Sequence, residues 1–474
     1  MTQPLPLWKT RRGVHVFRGP LVMGILNVTP DSFSQGESGE WRVTSDEGRV
    51  EKFVQDALRM EDQGASWIDI GGESTRPGAD SVPLEEELRR VVPVVEALRR
   101  VSVVRISIDT SKAAVARAAL AAGADAINDV TALSDPGMAA VVREAGAGIV
   151  LMHSRGTPAT MDSLTAYPDG KVAETVLAEL LDRVRIALDA GIPRECIALD
   201  PGFGFAKTNK QNEELLRGLS LFVATGFPVL AGLSRKRFIG ARILAGAGRE
   251  TRPDERDAES AAAAAEAVRE GALLLRVHNV PATFAALGER FDIVDGNGNP
   301  TGETIDRVSA HRWGVSHRTS HVWLVRADRG RTEILLQKRS RDKDSFPGCY
   351  DISSAGHLPA GSDYVSSALR ELQEELGVEA CAEDLHYLGT RHIHTESVFH
   401  GRPFINDQFS AVYFLRCDLD EDAFRPQASE VESVRWMDLD ACIRAVEEGT
   451  IPNCLSLQEL HWLQNAFQSF PIGT

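Results

Sequence analysis

The chain has 474 residues with a formal net charge of −16, 43% hydrophobic residues and 25% charged residues. That is the make-up of a globular protein with apolar material for two cores, and the length suits two domains. The acidic balance disfavours a protein that coats nucleic acid, because phosphate backbones need a basic surface. Small anionic substrates stay open.

Six cysteines show no CxxC and no paired spacing, as expected of reduced thiols. The opening MTQPLPLWKTRRG lacks the apolar core of a signal peptide, and no run approaches the ~20 apolar residues of a membrane span. The expectation is a cytoplasmic protein that binds neither membrane nor nucleic acid.

From about residue 20 to 288 one pattern repeats. A short apolar run ends in a polar cluster, and a helical stretch follows. The runs end at ILNVTPDSF, WIDIGGEST, ISIDTSK, AINDVTA, IVLMHSRGT, IALDPGFGF, VLAGLSRKRF and LLLRVHNV. Between them, VPLEEELRRVVPVVEALRR and KVAETVLAELLDRVRIALDAG carry apolar residues at helical spacing, and AESAAAAAEAVREG is made of helix formers with a glycine stop. Strands alternating with helices imply a parallel sheet, and eight βα units imply an α/β fold of the (β/α)8 TIM-barrel type over residues 1–288.

In such a barrel the residues just past each strand converge on one mouth. Within DIGGESTRPGA, Asp69 to Pro77 is then a βα loop whose glycines allow a sharp turn and whose Glu73, Thr75 and Arg76 face a ligand. SFSQGESGE, following Asp31, reads as a mobile lid.

Past residue 288 the character changes. RFDIVDGNGNPTGETIDR reads as a hairpin with an NGN turn, and HVWLVRADRGRTEILLQKRS as another. Strand, helix, further strands and a C-terminal helix follow, so residues 289–474 are expected to form an α+β domain joined without a long spacer.

GILNVTPDSFS, DIGGESTRPGA, SIDTSK, DPGFGFAKT and GLSRKRFIG, in that order, resemble dihydropteroate synthase over residues 15–288. The resemblance implies a barrel enzyme that joins p-aminobenzoate to 6-hydroxymethyl-7,8-dihydropterin diphosphate and releases diphosphate with Mg2+. It places Asp109, Asn128, Met152, Asp200 and Lys236 around the pterin. Buried carboxylates and amides suit the amide and amidine-like edge of that ring. Asp109, followed by TSK, has a helix N-cap as its alternative reading.

The same resemblance assigns Thr75, Phe205 and Ser234 to p-aminobenzoate, and Asn27, Arg76, Arg276 and His278 to the diphosphate, with Asn27 beside the metal. Lys236, Arg276 and His278 are the expected catalytic residues, positive charge being needed where negative charge builds. Relatives usually carry RVHDV where this chain reads RVHNV, so Asn279 removes a negative charge beside His278. Relatives of the barrel are commonly homodimers, which is the expectation here.

GHLPAGSDYVSSALRELQEELGV, residues 356–378, resembles a Nudix box. Gly356, Arg370, Glu371, Leu372, Glu374, Glu375, Gly377 and Val378 fall in place. On a helix Glu371, Glu374 and Glu375 share one face, and Mg2+ is their natural partner. Glu371 is the expected catalytic carboxylate and Glu430 a further candidate ligand or base.

The box departs at Ser362, where Glu is expected; Ser362 is read as an N-cap with Asp363 in the first turn. HRTSHVWLV and LLQKRSRDKDSFPGCYDISSAGH also resemble isopentenyl-diphosphate-isomerase-like Nudix proteins. Ala355 stands where true isomerases carry cysteine, so hydrolysis of a nucleoside or pterin polyphosphate, such as dihydroneopterin triphosphate, is expected instead. Two alternatives use the same residues: a pterin-binding methyltransferase barrel, and a synthase whose Nudix module binds without catalysis.

Overall fold

The computed structural model describes residues 5–29, 46–74, 79–328, 330–343, 345–399 and 402–469. It divides into two compact units, Met1–Gly288 and Glu289–Thr474.

The first unit is built on eight parallel strands: β1 Leu21–Asn27, β2 Trp67–Gly71, β3 Arg105–Asp109, β4 Ala126–Asp129, β5 Gly148–Met152, β6 Ile197–Asp200, β7 Leu230–Ala231 and β8 Leu274–Val277. Each pairs with its neighbour in order from β1 to β6, and β8 joins β1 to β7. A parallel bridge from Leu199 to Val229 closes the ring between β6 and β7. The (β/α)8 barrel expected from eight strand–helix repeats is the architecture found.

Strand periodicity explains what the barrel holds, because successive side chains point to opposite faces. Ile68 and Ile70, Ile106 and Ile108, Ile149 and Leu151, Ile197 and Leu199, and Leu275 and Val277 belong to the apolar core shared with the helices. The alternate residues point inward. Asp69, Asp109, Asn128, Met152, Asp200 and Arg276 are of that inward set, at or near the carboxyl ends of their strands. The opposite end is closed by a hairpin, Leu7–Thr10 with Gly13–Val16. Its Trp8 packs on Trp67 with ring centroids 4.9 Å apart and donates its indole N–H to Cys196 O at 2.9 Å.

The second unit carries a mixed seven-stranded sheet. Strand His317–Asp328 lies at its centre, parallel to Arg402–Arg416 and antiparallel to Arg331–Arg339 and Ser354–His357. Period-two alternation again divides the faces. Val322 and Leu324 pack with Leu372 and Leu376 of the helix Tyr364–Leu376, whereas Trp323 and Val325 pack with Cys442, Leu460 and Leu463 of the C-terminal helices. The expected hairpin around NGN is present as Arg290–Val294 paired with Pro300–Asp306. Among the described residues no helix is long and apolar enough to cross a membrane.

Candidate active sites

Asp109, Asn128, Met152, Asp200, Lys236 and Arg276 line one cavity at the carboxyl end of the barrel, with Phe203 and Phe205. Residues spread over 168 positions of sequence thus meet because each lies near the carboxyl end of a strand or in the loop that follows it. Asp109, Asn128 and Asp200 are 6%, 2% and 4% exposed. Burial pushes the Asp109 carboxyl up to about 7, against the pull of Arg276. Burial also raises Asp200, against a hydrogen bond from Gly202 N at 2.7 Å. Lys236 Nζ stands 4.3 Å over the Phe205 ring.

Arg276 is placed differently from an open anion receptor. Its Nε donates to Asp69 Oδ2 at 2.6 Å and its Nη2 to Asp109 Oδ2 at 2.7 Å. Burial works against its charge, but Asp69 and Asp109 outweigh that and keep the guanidinium protonated. Asp69, fully buried, also accepts from Asn128 Nδ2 at 3.1 Å. Asp69, expected to open the βα loop, lies inside β2 instead, and sequence reasoning did not assign it to the site; the available signal was a lone aspartate inside the apolar run WIDI.

Asp109 does not cap the helix that follows. That helix, Ala113–Ala122, receives its first bond from Asp135, whose Oδ2 accepts from Ala113 N at 2.9 Å. The two glycines after Asp69 also act otherwise than expected. Neither Gly71 nor Gly72 has a positive φ. A Cβ on Gly72 would meet Val91 at 2.8 Å and Glu87 at 3.0 Å, so close approach to the helix Leu84–Val101 is what requires glycine there. Glu73 is held by Lys112, which also pairs with the buried Glu87, and it borders a second cavity that shares Asp109 and Phe205 with the first. Thr75 and Arg76, and the SFSQGESGE segment, lie outside the described residues.

The loop bearing Phe205 has its own support. Lys207 Nζ donates to Gly202 O at 2.9 Å and Phe205 O at 3.0 Å, and lies 3.1 Å from His153 Nδ1. Burial pushes Lys207 down to about 7 and His153 down to about 4. His153 Nε2 meets Glu179 at 2.9 Å, and that bond, joined by Arg155, lowers Glu179 to about 2. At Gly202, φ is +70° and a Cβ would fall 1.9 Å from His153 O, so no other residue fits.

Ser234 and His278 face each other, Oγ to Nδ1 at 3.0 Å, and are absent from the lining of the two cavities. Asn279 caps its helix through Ala282 N at 3.0 Å and donates to Asp257 at 3.0 Å. Asp257 also binds Arg235, and lies close enough to His278 to be influenced by its charge. The negative charge missing at Asn279 is thus present at Asp257. Asn27 ends β1, half-buried, opposite Gly71.

In the second unit Glu371, Glu374 and Glu375 follow one another on the helix Tyr364–Leu376. Arg370 donates to Glu371 at 2.8 Å, lies 3.4 Å from Glu374, and comes within 3.8 Å of Glu289. Glu375 is 7% exposed and accepts from Ala355 N at 3.3 Å. Burial pushes Glu371 up to about 7, and burial with repulsion from Glu371 pushes Glu375 up to about 8. Glu430, paired with Lys343, is near enough to raise Glu371 further. Crowded carboxylates held against their own charge are the environment a divalent cation relieves, so these residues fit Mg2+.

The N-cap is Asp363, whose Oδ1 accepts from Ser366 N at 2.9 Å, and not Ser362. Ser362 is held through its backbone, its carbonyl accepting from Arg318 at 2.9 Å. The helix therefore starts one residue later than the sequence suggests.

The pterin binding enzyme family matches residues 23–278, and the NUDIX domain family matches residues 316–453. A dihydropteroate synthase of Haemophilus influenzae is 45% identical over 264 residues, 56% of this chain and 90% of that protein. A probable bifunctional folylpolyglutamate synthase/dihydropteroate synthase of Haloferax volcanii is 45% identical over 269 residues, 57% of this chain but 30% of its own length. The solved structure of Xanthomonas albilineans dihydropteroate synthase with 4-aminobenzoic acid is 45% identical, with TM-score 0.53, covering 60% of this chain and 96% of that one. The inward carboxylates at the barrel mouth and these relationships agree: the chain belongs to the pterin binding enzyme family, among the dihydropteroate synthases, and carries a NUDIX domain after the barrel.

Proposed function

We propose that the barrel condenses 6-hydroxymethyl-7,8-dihydropterin diphosphate with p-aminobenzoate to give 7,8-dihydropteroate and diphosphate. The observation that supports this most is the meeting of Asp109, Asn128, Asp200, Lys236 and Arg276 at one buried cavity.

In this reading Asp109, Asn128 and Asp200 bind the polar edge of the pterin, and Met152 and Lys236 hold its ring. The bond from methylene carbon to diphosphate oxygen breaks with its electron pair on oxygen. The arylamine nitrogen then forms the new C–N bond and sheds a proton. Thr75, Phe205 and Ser234 place the p-aminobenzoate. Arg76 and His278 receive the diphosphate, and Arg276 adds positive charge from the cavity floor while fixing Asp109. A Mg2+ ion held by Asn27 and diphosphate oxygens would neutralise charge on the leaving group, an amide oxygen and phosphates being donors Mg2+ accepts.

The second unit is proposed to hydrolyse a diphosphate linkage, with Glu371, Glu374 and Glu375 as the residues that would hold Mg2+. Bound there, the ion would polarise the phosphate and activate water. Dihydroneopterin triphosphate is the proposed substrate, on the ground that its product feeds the same class of pterin chemistry as the barrel. A cytoplasmic homodimer completes the proposal, and sedimentation tests the dimer.

The synthase is tested by incubating the full chain with pterin diphosphate and p-aminobenzoate. Dihydropteroate formation supports it; its absence, with intact folding, overturns it. The hydrolase is tested with dihydroneopterin triphosphate and Mg2+. Phosphate or diphosphate release that Glu374→Gln and Glu375→Gln abolish supports it, and release unaffected by both would show that these carboxylates do not carry the reaction.

A further inference from the structure

The turn that carries Ser234 and Lys236 is strained. Arg235, between them, has φ +60°, the left-handed region that a residue with a Cβ rarely occupies. It is held from the corner that begins the helix Asp257–Glu270. Arg235 Nε and Nη2 donate to Asp257 Oδ1 and Oδ2 at 2.7 and 2.9 Å, the paired geometry of guanidinium on carboxylate. Arg235 N donates to Ser260 Oγ at 2.9 Å, and Arg256 Nη1 donates to Arg235 O at 3.1 Å.

The same carboxylate reaches the loop after β8. Asn279 Nδ2 donates to Asp257 Oδ2 at 3.0 Å. The residue before it, His278, closes a circuit. Its Nδ1 lies 3.0 Å from Ser234 Oγ, and its backbone N donates to that oxygen at 3.2 Å. The path from Asp257 through Arg235, Ser234, His278 and Asn279 therefore returns to its start. It ties the loop after β7 to the loop after β8 through a residue of neither loop, which lines neither cavity.

Residues 257 and 279 are complementary. Two carboxylates in this contact would repel, and two amides would leave Arg235 without its anion. One of each satisfies the guanidinium and gives the amide an acceptor. Burial works to raise the Asp257 carboxyl, but bonds from Arg235 and Asn279, with the charges of Arg235 and His278, hold it below its usual value. Its place in the first turn of the helix favours the same ionised form.

We propose that Asp257 is a positioning residue for the condensation: it holds Arg235 in its left-handed turn and Asn279 against it, and so sets Ser234 and His278 against each other. This rests on the condensation proposed for the barrel, in which Ser234 places p-aminobenzoate and His278 receives the diphosphate. Asp257 acts on both through other residues.

The test compares the full chain with Asp257→Asn and with the double variant Asp257→Asn, Asn279→Asp, which moves the carboxylate to the other side of the same contact. Asp257→Asn is expected to lower kcat/KM for p-aminobenzoate at least about tenfold, and the double variant to return it to within about threefold of wild type. Binding of 6-hydroxymethylpterin, by calorimetry, changes less than about threefold in either, because Asp109, Asn128 and Asp200 stay in place. Hydrogen exchange of the backbone over residues 233–240 quickens in the single variant and slows again in the double. Unchanged exchange or unchanged kcat/KM in Asp257→Asn overturns the proposal. So does a double variant as slow as the single one, because a carboxylate in this contact would then not be what the turn needs. A larger loss of pterin binding overturns it too, as general damage to the pocket. Exchange needs no turnover, so a wild-type chain that forms no dihydropteroate, which overturns the condensation itself, is told apart from a failure of Asp257 to hold the turn.

Discussion

Asp69 and Arg276 stand 207 positions apart in sequence and 2.6 Å apart in the barrel. Asp69 has no exposed surface, and the guanidinium it holds also reaches Asp109. The orientation of Asp109 is therefore tied to a residue on the second strand through Arg276 on the eighth.

Replacing that carboxylate by its isosteric amide separates charge from shape. Asp69→Asn leaves Arg276 paired with Asp109 alone, and breaking half of a buried ionic network costs about 3 kcal/mol. The expected result is a lower urea midpoint for hydrogen exchange in the barrel strands, together with loss of synthase activity. Unchanged exchange would show that the pair contributes nothing to the fold.

Lys207 separates positioning from contact. It holds the carbonyls of Gly202 and Phe205 from beneath the loop and is 8% exposed. Lys207→Met is expected to raise KM for p-aminobenzoate about tenfold, equivalent to ~1.4 kcal/mol, with a smaller effect on the pterin substrate. Equal effects on both substrates would contradict a role confined to the Phe205 loop.

Glu179 predicts an acid limit for the same region. Its bond to His153 lowers its carboxyl from 4.5 to about 2. A carboxyl with a depressed folded value contributes stability that is complete above its unfolded value and is lost as pH falls towards its folded one. The stability difference between wild type and Glu179→Gln should therefore be largest above about pH 5 and shrink towards about pH 2. A difference constant across that range would remove the His153 bond as its source.

Gly356 tests the second unit. A Cβ there would lie 2.1 Å from Glu371 Cδ, too close for any relaxed side chain. Gly356→Ala is expected to displace Glu371 and reduce phosphate release at least about a hundredfold, the scale set by losing one transition-state donor, while dihydropteroate formation continues. Hydrolysis at the wild-type rate would take Glu371 out of the proposed reaction.

The sequence made the barrel legible because its signal was repeated: eight apolar runs each ended in polar chemistry, and the strands follow those runs. Asp109, Asn128 and Asp200 were legible for the same reason, each standing at a strand end. Asp69 was not, because a single inward carboxylate in WIDI looks like any alternation until its partner on another strand is known. The plug formed by Trp8 was missed because LWKT and GVHV are too short to carry a periodic signal. At the Nudix helix the disagreement over Ser362 and Asp363 is one residue wide, the usual limit of reading a helix end from sequence.

The central claim is that side chains from separate strands form one pterin pocket. Equilibrium binding of 6-hydroxymethylpterin diphosphate to the full chain, by calorimetry, tests it most directly. Asp109→Asn, Asn128→Ala and Asp200→Asn should each weaken binding at least about tenfold, as loss of a buried hydrogen-bonding partner requires. Wild-type affinity in all three folded variants would place the ligand elsewhere and contradict the account.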